Sequence, residues 1–241
     1  MRARRTVVGI MGLSLIGALL AAMSSGILVS RAAGLPEQQS RVSEQVAEAL
    51  RTGGLREAAK VTGRFTREIP GADSGGPSTI SELVRESTLI VLGRTGSNRS
   101  RLDPDGDMIR TAYQFDVESV LKGDRPAGRQ VAVVLLGGMV VFEDGSVAQL
   151  RVANSVRPVN REQYLLFLHP PKGQPDARSR LYRDDELVPV SDIQGVFRLP
   201  GGGGGVIPSI RRGRDFARTV RTMQPGQFIE AVKQAIHAER R

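Results

Sequence analysis

The sequence predicts a mainly β fold, a small antiparallel barrel or sandwich with flanking helices, preceded by an N-terminal hydrophobic segment. Three observations support this prediction. Short apolar runs separated by turn residues recur at close spacing through residues 89–199, which is typical of an all-β domain. The longest stretches of helical periodicity flank this region, at residues 35–68 and 225–236. A cationic N-terminus is followed by a long run without charge, residues 6–30.

The N-terminal segment predicts export or membrane anchoring. Arg2, Arg4 and Arg5 precede the 25 uncharged residues, and Arg31 ends the run. At about 1.5 Å per residue, such a helix can cross a hydrocarbon core of roughly 30 Å, which favours an uncleaved transmembrane anchor. Small residues at 22–24 leave a cleaved signal peptide as the alternative. Both interpretations place the domain outside the cytoplasm, either membrane-anchored or secreted or periplasmic.

Composition excludes several classes of chemistry. The chain has no cysteine, so disulfides, thiolate metal sites and cysteine nucleophiles are impossible. Its net charge of +9 comes from the two ends: residues 1–31 carry four basic and no acidic residues, and residues 206–241 carry eight basic and three acidic. Residues 32–205 carry 22 of each sign. Nucleic-acid-binding folds present a basic face on the fold itself, so we expect no nucleic-acid partner.

The chain divides into five predicted segments. A thin apolar stripe at Val42, Val46 and Leu50, broken at Gly53, predicts a helical stalk. Glycine, proline and serine then predict a linker, and Thr79 begins a helix as its N-cap. The segments are a signal anchor or signal peptide (1–31), a helical stalk (32–68), a linker (69–78), a β-barrel (79–210) and a basic C-terminal helical segment (211–241).

The barrel segment contains six to eight predicted strands. Residues 89–92 form a short apolar run that ends at Gly93, and Tyr113, Phe115 and Val117 alternate with polar residues along residues 107–121. Asp144-Gly145 predicts a hairpin turn. Further strands are predicted at residues 130–136, 139–142, 146–152, 163–168, 187–190 and 195–199. A final helix begins near Pro225 and places Phe228, Ile229, Val232 and Ile236 on one face.

The middle of the chain resembles a bacterial group of exported domains with the TIMP/netrin-like OB-barrel. The resemblance covers roughly residues 79–210 and depends on the strand ending in Gly93, the run Tyr113-Gln114-Phe115-Asp116-Val117-Glu118-Ser119-Val120-Leu121-Lys122-Gly123, the pair Gly137-Gly138, and residues 163–168 and 194–197. Its most specific part is the Val-Leu-Lys-Gly sequence after a long strand. The resemblance implies an OB-like barrel. It implies no activity, because these bacterial domains have no assigned function.

The inhibitory chemistry of this superfamily does not carry over to this chain. In its metalloproteinase inhibitors, an N-terminal cysteine delivers its amino group to the zinc ion of the protease. This chain has no cysteine, and its barrel segment starts deep within a longer chain. The resemblance therefore predicts a fold without a mechanism.

One loop has the composition of a calcium site. Asp103, Asp105 and Asp107 stand at alternate positions, and clustered carboxylates suit Ca²⁺. However, Gly106 comes two positions early for an EF-type loop, and Gln114 replaces the glutamate expected at position twelve. A polar turn is the favoured interpretation, with Ca²⁺ binding as the alternative.

Other motifs predict no catalytic residues and no cofactor. The two histidines, His169 and His237, lack partners in the sequence for a metal site or for catalysis. No Gly-x-Ser-x-Gly nucleophile turn occurs. The glycines at 201–205 lack the Lys-Ser/Thr pair of a phosphate-binding loop and predict a hairpin loop.

A basic cluster follows the barrel segment. Arg211, Arg214, Arg218 and Arg221 are spaced to share one helix face. Such a face suits contact with anionic lipid headgroups or an anionic envelope polymer. The alternative is an ordinary solvated helix face.

These observations predict a non-enzymatic, extracytoplasmic binding module. Its expected partners are an envelope protein or an anionic envelope surface, with membrane attachment through residues 6–30. Low aromatic content argues against sugar or base stacking. One alternative is an exported hydrolase that uses loop carboxylates such as Asp103, Asp107, Asp184 or Asp185. Another is a nucleic-acid-binding protein of the OB type.

Overall fold

The computed structural model describes residues 35–71, 76–124, 126–171, 181–183, 185–191, 194–209 and 215–241. The chain forms two compact units, residues 1–41 and residues 42–241. The described part of the first unit is the beginning of a helix, residues 35–41. Within the described residues no helix has the length and apolarity needed to cross a membrane, and the uncharged run at 6–30 lies outside them.

The protein is mainly β, with two sheets and flanking helices, as the sequence predicts. Strands account for 39% of the structure and helices for 30%. The helices are α1 (Leu35–Thr62), α2 (Ile80–Glu86), α3 (Asp215–Thr222) and α4 (Pro225–Glu239). The strands are β1 (Arg64–Ile69), β2 (Leu89–Leu102), β3 (Ile109–Lys122), β4 (Gln130–Leu136), β5 (Gly138–Val141), β6 (Val147–Val152), β7 (Gln163–His169), β8 (Glu186–Pro189), β9 (Val196–Leu199) and β10 (Ile207–Pro208).

Five strands of the larger sheet pair in a closed ring. β2 pairs with β3, β3 with β4, β4 with β8, β8 with β7, and β7 again with β2. β9 and β10 extend the sheet outward from β7. The predicted antiparallel arrangement holds for most strand pairs of the described residues, but β4 runs parallel to β8 and β1 runs parallel to β6. In both cases a long intervening segment gives the chain room to cross over.

Each face of the ring carries its own apolar core. Alternate residues of the strands pack together on one face, with Phe115 and Tyr164 edge to face at 5.6 Å between ring centroids. The opposite face of β7 and β9 packs on α2 and α4, where Phe197 and Phe228 lie 5.0 Å apart between centroids. The prediction that the last helix packs on the barrel is therefore confirmed.

β2 is far longer than the short strand predicted to end at Gly93. It continues to Leu102 and pairs with β3 along its length, with three irregularities in register. A Cβ atom at Gly93 would lie 2.7 Å from the carbonyl oxygen of Asp116 on β3. Gly93 therefore allows a close approach of two backbones inside the sheet and does not end the strand.

The second sheet corrects the prediction of a helical stalk over residues 32–68. It has the order β1-β6-β5, so residues 64–68 are a strand and not helix. The alternation of Phe65, Arg67 and Ile69 with exposed residues has the two-residue period of a half-buried strand. The predicted break at Gly53-Gly54 is confirmed, because Gly54 has φ +65° and the helix then resumes.

The resumed part of α1 packs against the second sheet. Leu55 and Ala59 are fully buried, in one apolar cluster with Ile109, Phe142 and Leu150. The helix segment is thus part of the compact unit, since its apolar side chains complete a core.

The N-cap of α2 and the turn between β5 and β6 agree with the sequence prediction, and the capping box of α2 does not. The Thr79 hydroxyl accepts a hydrogen bond from the Glu82 backbone N–H at 3.1 Å, as expected of an N-cap. The Glu82 carboxylate accepts from Ser78 and does not close the predicted capping box. Gly145 has φ +82° in the turn between β5 and β6, which confirms the predicted hairpin.

Leu55→Ala tests the docking of α1 on the second sheet. We expect the free energy of unfolding to fall by about 2–5 kcal/mol, because truncation of a fully buried leucine leaves a cavity. Denaturant titration measures the change. Val61→Ala is the matched control on the same helix, since Val61 is 45% exposed, and its effect should stay within about 0.5 kcal/mol. Equal effects of the two variants would contradict the docking.

Candidate ligand-binding face

An open pocket of about 330 Å³ lies on the outward face of the ring. On β3, Tyr113 and Phe115 face the ring core, so Ala112 and Gln114 between them face outward into the pocket. The short side chains of Ala112 and Ala132 leave a depression between longer neighbours. The lining residues are Ser97, Asn98, Arg99, Arg101, Ala112, Gln114, Ala132, Arg183, Asp185 and Glu186.

A bidentate ion pair between β2 and the start of β8 forms one wall of the pocket. Arg101 on β2 donates from Nη1 to Glu186 Oε1 at 2.7 Å and from Nη2 to Glu186 Oε2. Nη2 also donates to the carbonyl oxygen of Leu181 at 2.9 Å, and the Arg183 backbone N–H donates to Glu186. Burial raises the pKa of Glu186, but hydrogen bonds from Arg101 and Arg183 outweigh it and leave the pKa below its ordinary value. Glu186 is therefore ionised at neutral pH.

A second ion pair lies farther along the same strands. Arg110 Nε donates to both carboxylate oxygens of Asp103 at 3.0 Å, and Nη1 donates to the Tyr182 hydroxyl at 2.8 Å. The Arg110 guanidinium also lies 5.0 Å from the centroid of the Tyr182 ring. Burial raises the pKa of Asp103, and the charge of Arg110 opposes that rise. Through Leu181, Tyr182 and Glu186, the two arginines tie β2 and β3 to the segment that enters β8.

A β-bulge opposite Gln114 of β3 forms one edge of the pocket. Thr95 pairs with Phe115 and Asn98 with Tyr113, so Gly96 and Ser97 together oppose the single residue Gln114. A bulge of this kind twists the strand and redirects its side chains. Ser97 and Asn98 consequently line the pocket beside Gln114.

In the candidate calcium loop, one of the three carboxylates is paired with an arginine, and the loop backbone packs on α1. The Asp103 carboxylate is buried against Arg110, whereas Asp105 and Asp107 are exposed to solvent. The Gly106 carbonyl accepts from the Leu55 backbone N–H at 2.9 Å, so the loop packs on the kink of α1. Within the described parts of the chain, no three His, Asp or Glu side chains are grouped to hold a metal ion. The geometry favours the polar-turn interpretation.

The three described carboxylates of the hydrolase alternative have different surroundings. Asp103 is paired with Arg110, Asp107 is exposed, and Asp185 lines the pocket. Asp184 lies outside the described residues. Neither Asp103 nor Asp107 lines the pocket that Asp185 lines.

Half of the predicted basic face is described. Arg218 and Arg221 are exposed on α3, while Phe216 and Val220 of the same helix turn toward the apolar core. Arg218 lies 3.6 Å from the Asp215 carboxylate, with both side chains mostly in solvent, so the pair adds little stability. Arg211 and Arg214 lie outside the described residues.

The sequence interpretation missed the arginines of the pocket. Arg99 and Arg101 fall beyond Gly93, where the strand was predicted to have ended. The alternation of Arg99 and Arg101 on one face of a continued strand was the available signal. Arg183 and Glu186 had no local signal, because Glu186 meets Arg101 of β2 across 85 residues of sequence and Arg183 joins the pocket only in the folded chain.

Comparison with known proteins gives no information about the function of this chain. No protein-family model matches the chain, and no curated protein matches it significantly. The TIMP/netrin-like resemblance therefore stays a prediction.

Glu186→Gln tests the ion-pair wall. Glu186 is 3% exposed, and removal of one partner of a buried pair leaves the other without compensation, so we expect a loss of about 3 kcal/mol at pH 7. The exposed pair Arg94–Glu118 supplies the control Glu118→Gln, which should cost less than about 1 kcal/mol.

The effect of Glu186→Gln should depend on pH in a defined direction. Because the folded-state pKa of Glu186 is lowered, its contribution is complete above the unfolded value of about 4.3. It is lost as the pH falls through the lower folded value. Denaturant titrations should show the difference between wild type and variant shrinking below about pH 4. A difference that grows on acidification would contradict this assignment.

Proposed function

We propose that this protein is an extracytoplasmic, membrane-anchored binding module with an OB-like barrel and no catalytic role. Its partners are an envelope protein or an anionic envelope surface. The barrel belongs, on this proposal, with the exported bacterial TIMP/netrin-like domains that its sequence resembles. The observation that carries the proposal is the polar pocket on the outward face of the strand ring.

The strand pairing supports an OB-like barrel. If the ring strands are numbered one to five in chain order, they neighbour each other in the order 1-2-3-5-4 and close back on the first. The third and fifth, β4 and β8, are parallel. OB-type barrels have five strands and bind ligands on the face of their second and third strands, here β3 and β4. Ala112, Gln114 and Ala132 of the pocket lie on that face.

The chemistry of the pocket supports binding without catalysis. Its acidic residues are Glu186, which is committed to Arg101, and Asp185. Among the described residues, no histidine and no aromatic residue lines it. A pocket of about 330 Å³ is at the small end of the range for ligand sites and suits a short polar group of a partner.

Photo-crosslinking from position 114 tests binding at this face. We expect a full-length protein with a photoreactive residue in place of Gln114 to form a crosslinked product with an envelope protein in intact cells, because Gln114 lines the pocket. The control position is Thr66, which is exposed on the second sheet, and it should give no such product. Equal products from both positions would mean that the pocket has no special part in binding.

The full-length protein with a C-terminal tag tests the proposed location outside the cytoplasm. A C-terminal tag should fractionate with membranes and become digestible by protease once the outer barriers are opened and before the cytoplasmic membrane is breached, since Arg2, Arg4 and Arg5 keep the N-terminus inside. A soluble, protected cytoplasmic protein would overturn the export proposal.

The basic segment offers a second contact of the same module. The test compares the wild-type protein and the double variant Arg214→Glu/Arg218→Glu, each held in uncharged nanodiscs, for binding to vesicles of anionic phosphatidylglycerol. We expect the variant to bind at least roughly 30-fold more weakly than the wild type, because each basic residue near an anionic surface contributes about 1 kcal/mol. Arg64→Glu/Arg151→Glu is the control with the same change in net charge, on exposed positions of β1 and β6. A comparable loss in the control would show a net-charge effect, without a specific basic face.

A further inference from the structure

The pocket holds positive charge that its own wall does not neutralise. Among the described residues, three arginines and two acids line it; Glu186 is paired with Arg101, and the charge of Arg183 also helps to lower the pKa of Glu186. Within the described residues, the guanidinium groups of Arg99 and Arg183 form no hydrogen bond or ion pair with the protein. Asp185 offsets one of these two charges, so the pocket keeps a net charge of about +1 by this count of its lining residues.

The two arginines come from opposite sides of the depression. Arg99 on β2 pairs in register with Ala112 on β3, whereas Arg183 precedes β8, which pairs with β4 at Ala132. The strand order β2-β3-β4-β8 therefore places the two alanines between the two guanidinium groups. A ligand that rests on the alanines has a cationic group on either side.

Neutral hydrogen-bonding groups complete the lining. Ser97, Asn98 and Gln114 line the pocket beside the bulge, and side chains of these types can donate hydrogen bonds to oxygen atoms. A lining without aromatic rings disfavours sugars and nucleobases, which proteins bind largely by stacking. The donors and the positive charge together select an oxyanion.

We propose that the pocket binds an acidic side chain, Asp or Glu, of a peptide segment of the partner protein, with Arg99 and Arg183 donating charge-assisted hydrogen bonds to its carboxylate. This inference rests on the proposed binding function of the barrel and names the chemistry of its partner. One carboxylate matches the uncompensated charge of the lining, and guanidinium groups match its planar geometry. The Arg101–Glu186 pair holds the wall in place and leaves Arg99 and Arg183 to the ligand.

The test uses the full-length protein in an uncharged detergent and fluorescence anisotropy of labelled peptides. A peptide of five glutamates should bind, and a peptide of five glutamines should bind at least about tenfold more weakly. Arg99→Gln and Arg183→Gln should each raise the Kd of the glutamate peptide at least about tenfold, and Arg99→Lys should restore part of the loss. Arg94→Gln is the matched control, since Arg94 lies on the same strand, pairs with Glu118 and does not line the pocket.

A further variant changes the charge of the pocket without removing an arginine. Gln114→Glu adds a negative charge to the pocket and should also weaken the glutamate peptide at least about tenfold. Unchanged midpoints of unfolding show that each variant is folded. An unchanged Kd in both Arg99→Gln and Arg183→Gln would overturn the inference, as would tighter binding of a poly(glycerol phosphate) competitor at the same site.

The outcomes separate this inference from the proposed function. If position 114 crosslinks an envelope protein but the glutamate peptide does not bind, the acidic-ligand inference is wrong and the binding function stands. If neither crosslink nor peptide binding occurs, both fail. Peptide binding that depends on Arg99 and Arg183, together with a crosslink lost in Arg99→Gln, supports both.

Discussion

Closure of the strand ring by β8 is the constraint on which the rest of the structure depends. β8 has only four residues, yet it pairs with β4 on one side and β7 on the other. Its first residue, Glu186, is held by the Arg101 guanidinium of β2. Because a closed ring removes the free edges of a sheet, the β2–β3 hairpin and β7 need no partner from outside. The same ion pair that holds β8 also forms one wall of the pocket.

The ring and the helices share β7 as a central element. Leu165 and Phe167 face the helical core, and Leu166 and Leu168 face the ring core, so the strand is buried on both sides. This double burial explains its continuous apolar sequence. It also fixes α4 through Phe228, which packs against Phe167 and Phe197. The helices cover the outward face of β2 at Ile90 and Leu92, whereas the pocket lies farther along the sheet, where Arg99, Ala112 and Ala132 line it.

Features that depend on neighbouring residues were predictable from sequence. The Thr79 cap, the Gly145 turn and the alternation through Tyr113 and Phe115 each reflect interactions within a few positions of the chain. Predictions failed where the deciding partner is distant. The sequence predicts a strand end at Gly93, because the role of Gly93 in the close approach to Asp116 requires the partner strand. It predicts helix over β1, because the pairing of β1 with β6 joins segments 83 residues apart.

The sequence by itself determined the mainly β class, the chain's charge distribution and the positions of most strands, since periodicity and turn residues act locally. The cationic N-terminus with its uncharged run likewise belongs to the sequence, and it carries the export proposal. Only the tertiary structure decided which arginines have carboxylate partners among the described residues. Arg101 and Arg110 are held by carboxylates that the fold brings to them, while Arg99 and Arg183 line the pocket without an ion pair to a described residue. Formal charge is a property of residues, but its availability to a ligand depends on which opposite charges the fold places within reach.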